Sequence, residues 1–310
     1  MIGIIILNYI NWEDTIRCIE SIFVNEKKTL YHIYVVDNAS PNRMNRDVEN
    51  FLLVQNRITF IQRETNDGYS AGNNSGIKMA LSDGCQEILI VNNDVLLKNN
   101  SIYNLQEFLK LNKEVGIVGP KIFLANGQLQ MINMGIKTGL KEKYMYLLRK
   151  TIFSSFVKNF IRKFCALDQD LTKPFEVHSV SGCCFMMSEK CAHDITPFDE
   201  ETFLYQEELI IGIKMEEKGY KTVYYPSSEV THVHGQSTKH IKAFSYICLV
   251  ESEIYYFRKY LKTSKTALFP LYIIRTAKYI TLCLIHQNFR TNIKLYFQST
   301  LKKMFRNYSI

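Results

Sequence analysis

The sequence predicts an α/β protein: a mixed, mostly parallel sheet with helices on both faces, followed by a helical, basic C-terminal region. Three observations carry this reading. Through residues 1–240, short aliphatic and β-branched runs alternate with stretches of helical periodicity. Those runs end in small polar or acidic residues, as strands do where they meet a ligand-binding edge. The charge is also lopsided, because a net +8 over 310 residues leaves residues 254–310 with eleven Lys or Arg and no Asp or Glu.

The elements follow in order. "IGIIILNY" (residues 2–9) is a buried parallel strand. "NWEDTIRCIESIFVN" is a helix, with Ile16, Ile19, Ile22 and Phe23 on one face and acidic residues in its first turn. "YHIYVVDNAS" is a second strand, ending at Asp37, Asn38 and Ser40, and "NRDVENFLLVQN" a second helix. "ITFIQRETNDGYSAGNNSGIKMAL" reads as strand, glycine-containing loop and helix, and "EILIVNNDVLL" as the next strand. "VHSVSGCCFMMSEKC" (177–191) is a strand, a tight turn at Gly182 and another strand, with its cysteines and methionines in core packing. In "FDEETFLYQEELIIGIKMEEKGYKTVYYP" (198–226), Leu209, Ile213 and Met215 mark a helix under the sheet, with Glu207 and Glu208 at its N-terminus, where the helix dipole favours anions. "SSEVTHVHGQSTKH" (227–240) is strand-like, so His232 and His234 face opposite ways.

The bulk properties narrow the class. With 46% hydrophobic and 22% charged residues the chain is ordinary globular protein, neither disordered nor fibrous. Eight cysteines without a C-x-x-C pair read as reduced thiols of a cytosolic protein. No signal peptide and no spanning helix are expected, since no run of about 18 uncharged apolar residues occurs. The loop "NDGYSAGNNSG" has neither a G-x-G-x-x-G fingerprint nor a Walker lysine.

Asn92, Asn93 and Asp94 interrupt an aliphatic run, and a simple turn would explain them. Asn8, Asp37, the loop 66–74 and Asn92–Asp94 all follow strands, however. Four polar clusters then converge on one crevice, which turns the reading from turn to site.

Taken together, "IIILNY", "VVDNAS", "NDGYSAGNNSGI", "IVNNDV" and "FDEETFLYQEELIIGIKMEEKGY" resemble the inverting family-2 glycosyltransferases of the GT-A (Rossmann-like) fold, nearest to rhamnosyltransferase-like enzymes that build bacterial surface polysaccharides. The resemblance covers residues 1–240. It implies a UDP- or dTDP-sugar donor, a divalent cation (Mn²⁺ or Mg²⁺) and a glycan or lipid-linked acceptor. It places Asn8, Tyr9, Asp37, Asn66, Gly68, Asn73, Asn92 and Asn93 at the donor. Asp94 matches the metal-binding position of the family's D-x-D, whose first acid is here Asn92. One carboxylate can suffice where phosphate and water complete the shell. His232 matches a metal or phosphate ligand, and Gly182 and Asp199 fall on the acceptor side. Glu208 matches the general base. Its neighbour Glu207 is the other candidate, because consecutive helical residues point about 100° apart; Asp199 and Glu200 stand next.

The expected organisation is a catalytic region 1–240, with a basic insertion about 137–176, and a helical region 241–310. The basic tail and the similar stretch 141–163 suit an anionic membrane surface, so a cytoplasmic protein, peripheral on the inner face of the membrane, is expected. Two other classes fit less well. A nucleotidyltransferase would need a glycine-rich basic loop after the first strand, where "NYINWEDT" stands. A nucleic-acid-binding protein would explain the charge but not the polar strand ends, so no nucleic-acid partner is expected.

Overall fold

The computed structural model describes residues 1–42, 44–131, 135–149, 151–233 and 242–308. Among the described residues, nine strands form one sheet: β1 (Ile2–Asn8), β2 (Tyr31–Asp37), β3 (Ile58–Gln62), β4 (Glu87–Asn92), β5 (Val95–Leu97), β6 (Val115–Leu124), β7 (Phe175–Val177), β8 (Cys184–Ser188) and β9 (Lys221–His232). Their order is β3-β2-β1-β4-β8-β6-β9-β5, with β7 added on β9. β1 to β4 are mutually parallel where they pair, and β6 is parallel to β9. β8 runs antiparallel to both β4 and β6. The expected mixed, mostly parallel sheet is therefore present.

Among the described residues, twelve α-helices accompany the sheet: α1 (Trp12–Asn25), α2 (Arg46–Leu53), α3 (Tyr69–Ser82), α4 (Ser101–Leu111), α5 (Leu140–Leu148), α6 (Lys158–Phe164), α7 (Glu189–Ile195), α8 (Glu207–Lys218), α9 (Lys242–Tyr255), continued by a π-helical turn (Tyr256–Tyr260), α10 (Lys265–Ile285), α11 (Gln287–Thr291) and α12 (Ile293–Phe305). The aliphatic residues of β1, β2 and β4 alternate between two cores. One packs Cys18, Ile19 and Ile22 of α1 and Ile102, Leu105 and Leu109 of α4 against Ile4, Ile6 and Leu89. The other packs Ile77 of α3, Ala192 of α7 and Ile211 and Met215 of α8 against Ile5, Ile88 and Ile90. Strands covered on both sides carry apolar residues at every position, which is why they read as unbroken aliphatic runs.

Segment 177–191 departs from expectation. Its two strands do not form a hairpin around Gly182. β7 pairs with β9, and β8 inserts between β4 and β6. Strand pairing is set by the whole sheet, so proximity in sequence misleads here.

The C-terminal helices are built on a third core. Tyr246, Val250 and Ile254 of α9, Leu271, Tyr272 and Tyr279 of α10 and Tyr296 and Met304 of α12 pack with Leu209, Ile210 and Ile213 of α8, and Tyr144 and Leu147 of α5 lie against them. A buried charge cluster crosses the same region. Arg275 grips the Glu253 carboxylate through two bonds, Nε–Oε2 at 2.7 Å and Nη2–Oε1 at 2.8 Å, and Lys143 Nζ lies 2.6 Å from Oε1.

One helix bears on the expectation that none spans a membrane. α10 is 21 residues long with a mean hydropathy of 1.5 over its most apolar window, enough by length and composition to cross a bilayer. A third of that window is buried inside the protein, and Arg275 within the helix is buried against Glu253 and neutralised there. All eight cysteines are buried thiols, as expected of core residues.

Candidate active site

The parallel register sets Asn8 beside Asp37 and Asp37 beside Gln62, so three polar strand ends lie in a row. Four donors hold the Asp37 carboxylate: Asn8 Nδ2 at 2.8 Å, Ser40 Oγ at 2.6 Å, the Ser40 amide at 3.1 Å and Gln62 Nε2 at 2.9 Å. Thr15 Oγ1 donates to Asn8 Oδ1 at 2.8 Å. Asn93 Nδ2 lies 3.3 Å from Asn8 Oδ1, 3.1 Å from Thr15 Oγ1 and 3.1 Å from the Asn11 carbonyl. This network corrects one expected donor contact. Asn8 has no exposed surface and braces the strand ends, whereas Asn93, its amide nitrogen spent inside the protein, still lines the cleft above. Asn73 is a second correction: fully buried on α3, it donates to the Tyr69 carbonyl at 3.0 Å and does not line the crevice.

Above this bed lies a cleft of ≈ 530 Å³, lined by Leu7, Tyr9, Asn38, Asn66, Gly68, Tyr69, Asn92, Asn93, Phe203, Leu204, Phe244 and Ser245. Asn38 Nδ2 donates to Asn66 Oδ1 at 2.8 Å and to the Gly68 carbonyl at 3.1 Å, tying the β2 end to the loop before α3. Gly68 takes φ +94°, and a Cβ there would fall 2.2 Å from the Phe203 carbonyl oxygen. The loop and residue 203 thus touch backbone to backbone, which the Tyr69 amide bond to the Phe203 carbonyl at 3.0 Å secures. Gly68→Ala is expected to destabilise the fold by roughly 2–4 kcal/mol through backbone strain and overpacking. Urea denaturation checks this; an unchanged midpoint would contradict the contact.

β5 pairs antiparallel with β9, with Val95 opposite His232, and the Val233 amide bonds the Asp94 carbonyl at 2.8 Å. His232 Nε2 consequently sits 3.3 Å from Asp94 Oδ1, and its Nδ1 sits 2.9 Å from Gln130 Oε1. Burial works against charge on the imidazole, but the hydrogen bonds to Asp94 and Cys183 outweigh it and push its pKa up to about 10. The two residues expected to hold a cation are thus brought together from distant segments. They offer one carboxylate and one imidazole, and no group of three or more His, Cys, Asp or Glu suited to a metal occurs among the described residues. That donor set fits a cation only when phosphate and water supply the remaining ligands. His234 lies outside the described residues.

Glu207 and Glu208 begin α8 as expected. Glu207 is 6% exposed, and burial together with the Glu208 charge raises its pKa well above the usual carboxylate range. Glu208 is raised too, by burial, and its Oε1 accepts the Gly182 amide at 3.2 Å. It also lines a second cavity of ≈ 410 Å³ together with Gln130, Ser181, Tyr205, Tyr224 and His232. Gly182 leaves the room this needs, since a Cβ would meet Glu208 Oε1 at 3.0 Å. Tyr69 joins the two spaces: it lines the first, and its hydroxyl donates to the Gly182 carbonyl at 2.6 Å.

Asp199 is not where it was expected. Its Oδ2 accepts from Tyr255 Oη at 2.7 Å, Lys259 Nζ at 3.0 Å and Tyr260 Oη at 2.5 Å, and its Oδ1 from the Glu201 amide at 2.9 Å. Burial raises its pKa, yet the Tyr260 and Tyr255 hydrogen bonds prevail and hold it at about 2. It fastens the segment before α8 to the C-terminal helices and is absent from the lining of the second cavity. Glu200, the other reserve base, bonds the Asn74 amide at 2.8 Å.

Sequence reasoning missed Asn38, Tyr69, Gln130, Phe203, Phe244 and Ser245. Asn38 and Tyr69 adjoin residues that were singled out, so the polar strand end and the loop could have pointed to them. Phe244 and Ser245 belong to α9, where no local signal marks them.

The family model described as Glycosyl transferase family 2 matches residues 3–196. The N-acetylglucosaminyl-diphospho-decaprenol L-rhamnosyltransferases of Mycobacterium tuberculosis, strains CDC 1551 / Oshkosh and ATCC 25618 / H37Rv, are each 33% identical over 75 residues, which is 24% of this chain and 24% of theirs. The match thus spans about a quarter of those relatives. Among solved structures, GalNAc-T7 with UDP, GalNAc and Mn²⁺ aligns at TM-score 0.56 and 15% identity, over 76% of this chain and 43% of that one. TarS 1–349 of S. aureus aligns at TM-score 0.51 and 14% identity, over 82% and 65%. At these identities the structures speak for a shared GT-A fold.

Proposed function

We propose, from the premise that the chain belongs to glycosyl transferase family 2, that it moves a sugar from a nucleoside-diphosphate donor, a UDP- or dTDP-sugar, to a hydroxyl of a glycan or lipid-linked acceptor in surface-polysaccharide synthesis, with inversion at the anomeric carbon. The observation that carries the proposal is the pair of cavities linked by hydrogen bonds from Tyr69 to Gly182 and from Gly182 to Glu208, with His232 on the lining of the second and Asp94 3.3 Å from His232.

The first cleft suits the nucleotide. Asn66 and Asn92 offer amides to base and ribose, Asn38 ties the cleft wall to the loop before α3, and Phe203 and Phe244 offer apolar surface. Asp37, held by four donors, keeps the cleft floor in place and serves the nucleotide through that position. Asp94 and His232 are the residues that would hold Mn²⁺ or Mg²⁺ against the diphosphate, once the imidazole gives up its proton. The cation, when bound, supplies charge neutralisation to the leaving group. Glu208 faces the second cavity and takes the acceptor proton. A single base on the acceptor side, Glu208, corresponds to one displacement and hence inversion.

Thermal stabilisation across UDP-, dTDP- and GDP-sugars with Mn²⁺, followed by transfer assays on the hits, tests the reading; no stabilisation by any of them would overturn it. Asp94→Asn is expected to abolish both transfer and the cation dependence of nucleotide binding. Turnover that persists in EDTA would remove the cation from the proposal.

A further inference from the structure

α10 carries apolar residues on two faces but is covered on one side only. Leu268, Leu271, Tyr272, Arg275, Tyr279 and Cys283 face the C-terminal core and are buried. On the other side Phe269, Ile273, Ile274, Ile280, Leu284 and Ile285 are between 45% and 77% exposed. They recur at helical spacing along a helix about 31 Å long at 1.5 Å per residue. An apolar helix face is ordinarily buried, so this uncovered stripe calls for an apolar partner.

The surrounding charge identifies the partner's chemistry. Of the eleven basic residues in 254–310, four are spent on ion pairs within the protein: Lys259 with Asp199, Arg275 with Glu253, and Lys303 and Arg306 with Glu201. The remaining seven include Lys262 and Lys265 at the N-terminal end of α10, Lys278 on the helix and Arg290 just beyond it, with no acidic residue anywhere in the segment. An apolar stripe bordered by cations complements a bilayer surface of anionic lipid.

We infer that α10 is an interfacial helix, which lies in the plane of an anionic bilayer with its outer face among the acyl chains. Lying is favoured over spanning by the inner face. Arg275 bonds Glu253 at 2.7 Å inside a packed protein core, and a spanning helix would have to leave that core and expose the charge to lipid. The inference stands apart from the transferase reading, because no residue of either cavity belongs to α10.

Co-sedimentation of the full chain with phosphatidylglycerol-containing vesicles and with pure phosphatidylcholine vesicles tests it. Binding is expected to the anionic vesicles and to weaken as salt rises. The variant Ile273→Glu/Ile280→Glu should weaken it at least about tenfold, with thermal midpoint and nucleotide-sugar binding unchanged, since both side chains face outward. Failure of the parent to bind either vesicle, or equal binding by parent and variant, would overturn the inference. So would light scattering that shows a dimer which the variant dissociates, because the stripe would then be covered by a second copy of the chain.

Discussion

Glu208→Gln should lower turnover by about 10²–10⁴-fold, the usual contribution of a positioned general base, with donor affinity nearly intact. The position of the side chain supports this. Glu208 lines the second cavity and is anchored by the Gly182 amide, whereas Glu207 is 6% exposed and does not reach that space. Two neighbouring buried carboxylates resist double ionisation. Burial raises both, and Glu208, which lines the cavity, is the one placed to take a proton from the acceptor. Because burial raises the Glu208 pKa, the acid limb of kcat/KM should lie above the ordinary glutamate value of 4.5. A raised carboxylate stabilises the fold most below its unfolded pKa and loses that contribution as pH rises toward the folded value. Gln removes this penalty, so the variant should melt at or above the parent's temperature at neutral pH. A large loss of turnover in Glu207→Gln together with an active Glu208→Gln would exchange the two roles.

Glu253→Leu should cost about 3–5 kcal/mol of stability, because it strands the Arg275 and Lys143 charges in a core without their partner. Glu253 is 2% exposed and serves α9, α10 and α5 at once. Denaturant unfolding measures the loss. Combining the change with Arg275→Met and Lys143→Met should restore much of it, since apolar replacement of a whole buried ionic cluster is often neutral or better. The same cluster sets an acid limit. Burial pushes the Glu253 carboxyl up, but the Lys143 charge and the Arg275 bonds hold it at about 2, and Asp199 is also held at about 2. Depressed carboxylates stabilise fully above their unfolded values, 4.5 for Glu253 and 3.8 for Asp199, and lose that contribution as pH falls through the folded ones. The C-terminal helices should therefore loosen between about pH 4.5 and pH 2, visible as a drop in their hydrogen-exchange protection; protection unchanged across that window would contradict it.

Local sequence was sufficient for the alternation of strands and helices, the strand-end clusters and the glutamate pair at the start of α8, because periodicity and end chemistry are properties of short segments. It also supplied Asp94 and His232, and the register of β5 on β9 brings them within 3.3 Å. Which way a side chain faces at a strand end is another matter. Asn8 and Asn73 have the right chemistry for a ligand, yet neighbouring elements enclose them and use their amides as braces. Asp199 was drawn from the acceptor side by tyrosines more than fifty positions away in the chain, Tyr255 by |i−j| 56 and Tyr260 by 61. The proposal of Glu208 over Glu207 rests on the cavity. Composition marked α10 as apolar and basic, but only packing could show which face is covered, since burial is decided by what lies opposite a residue and not by the residue itself.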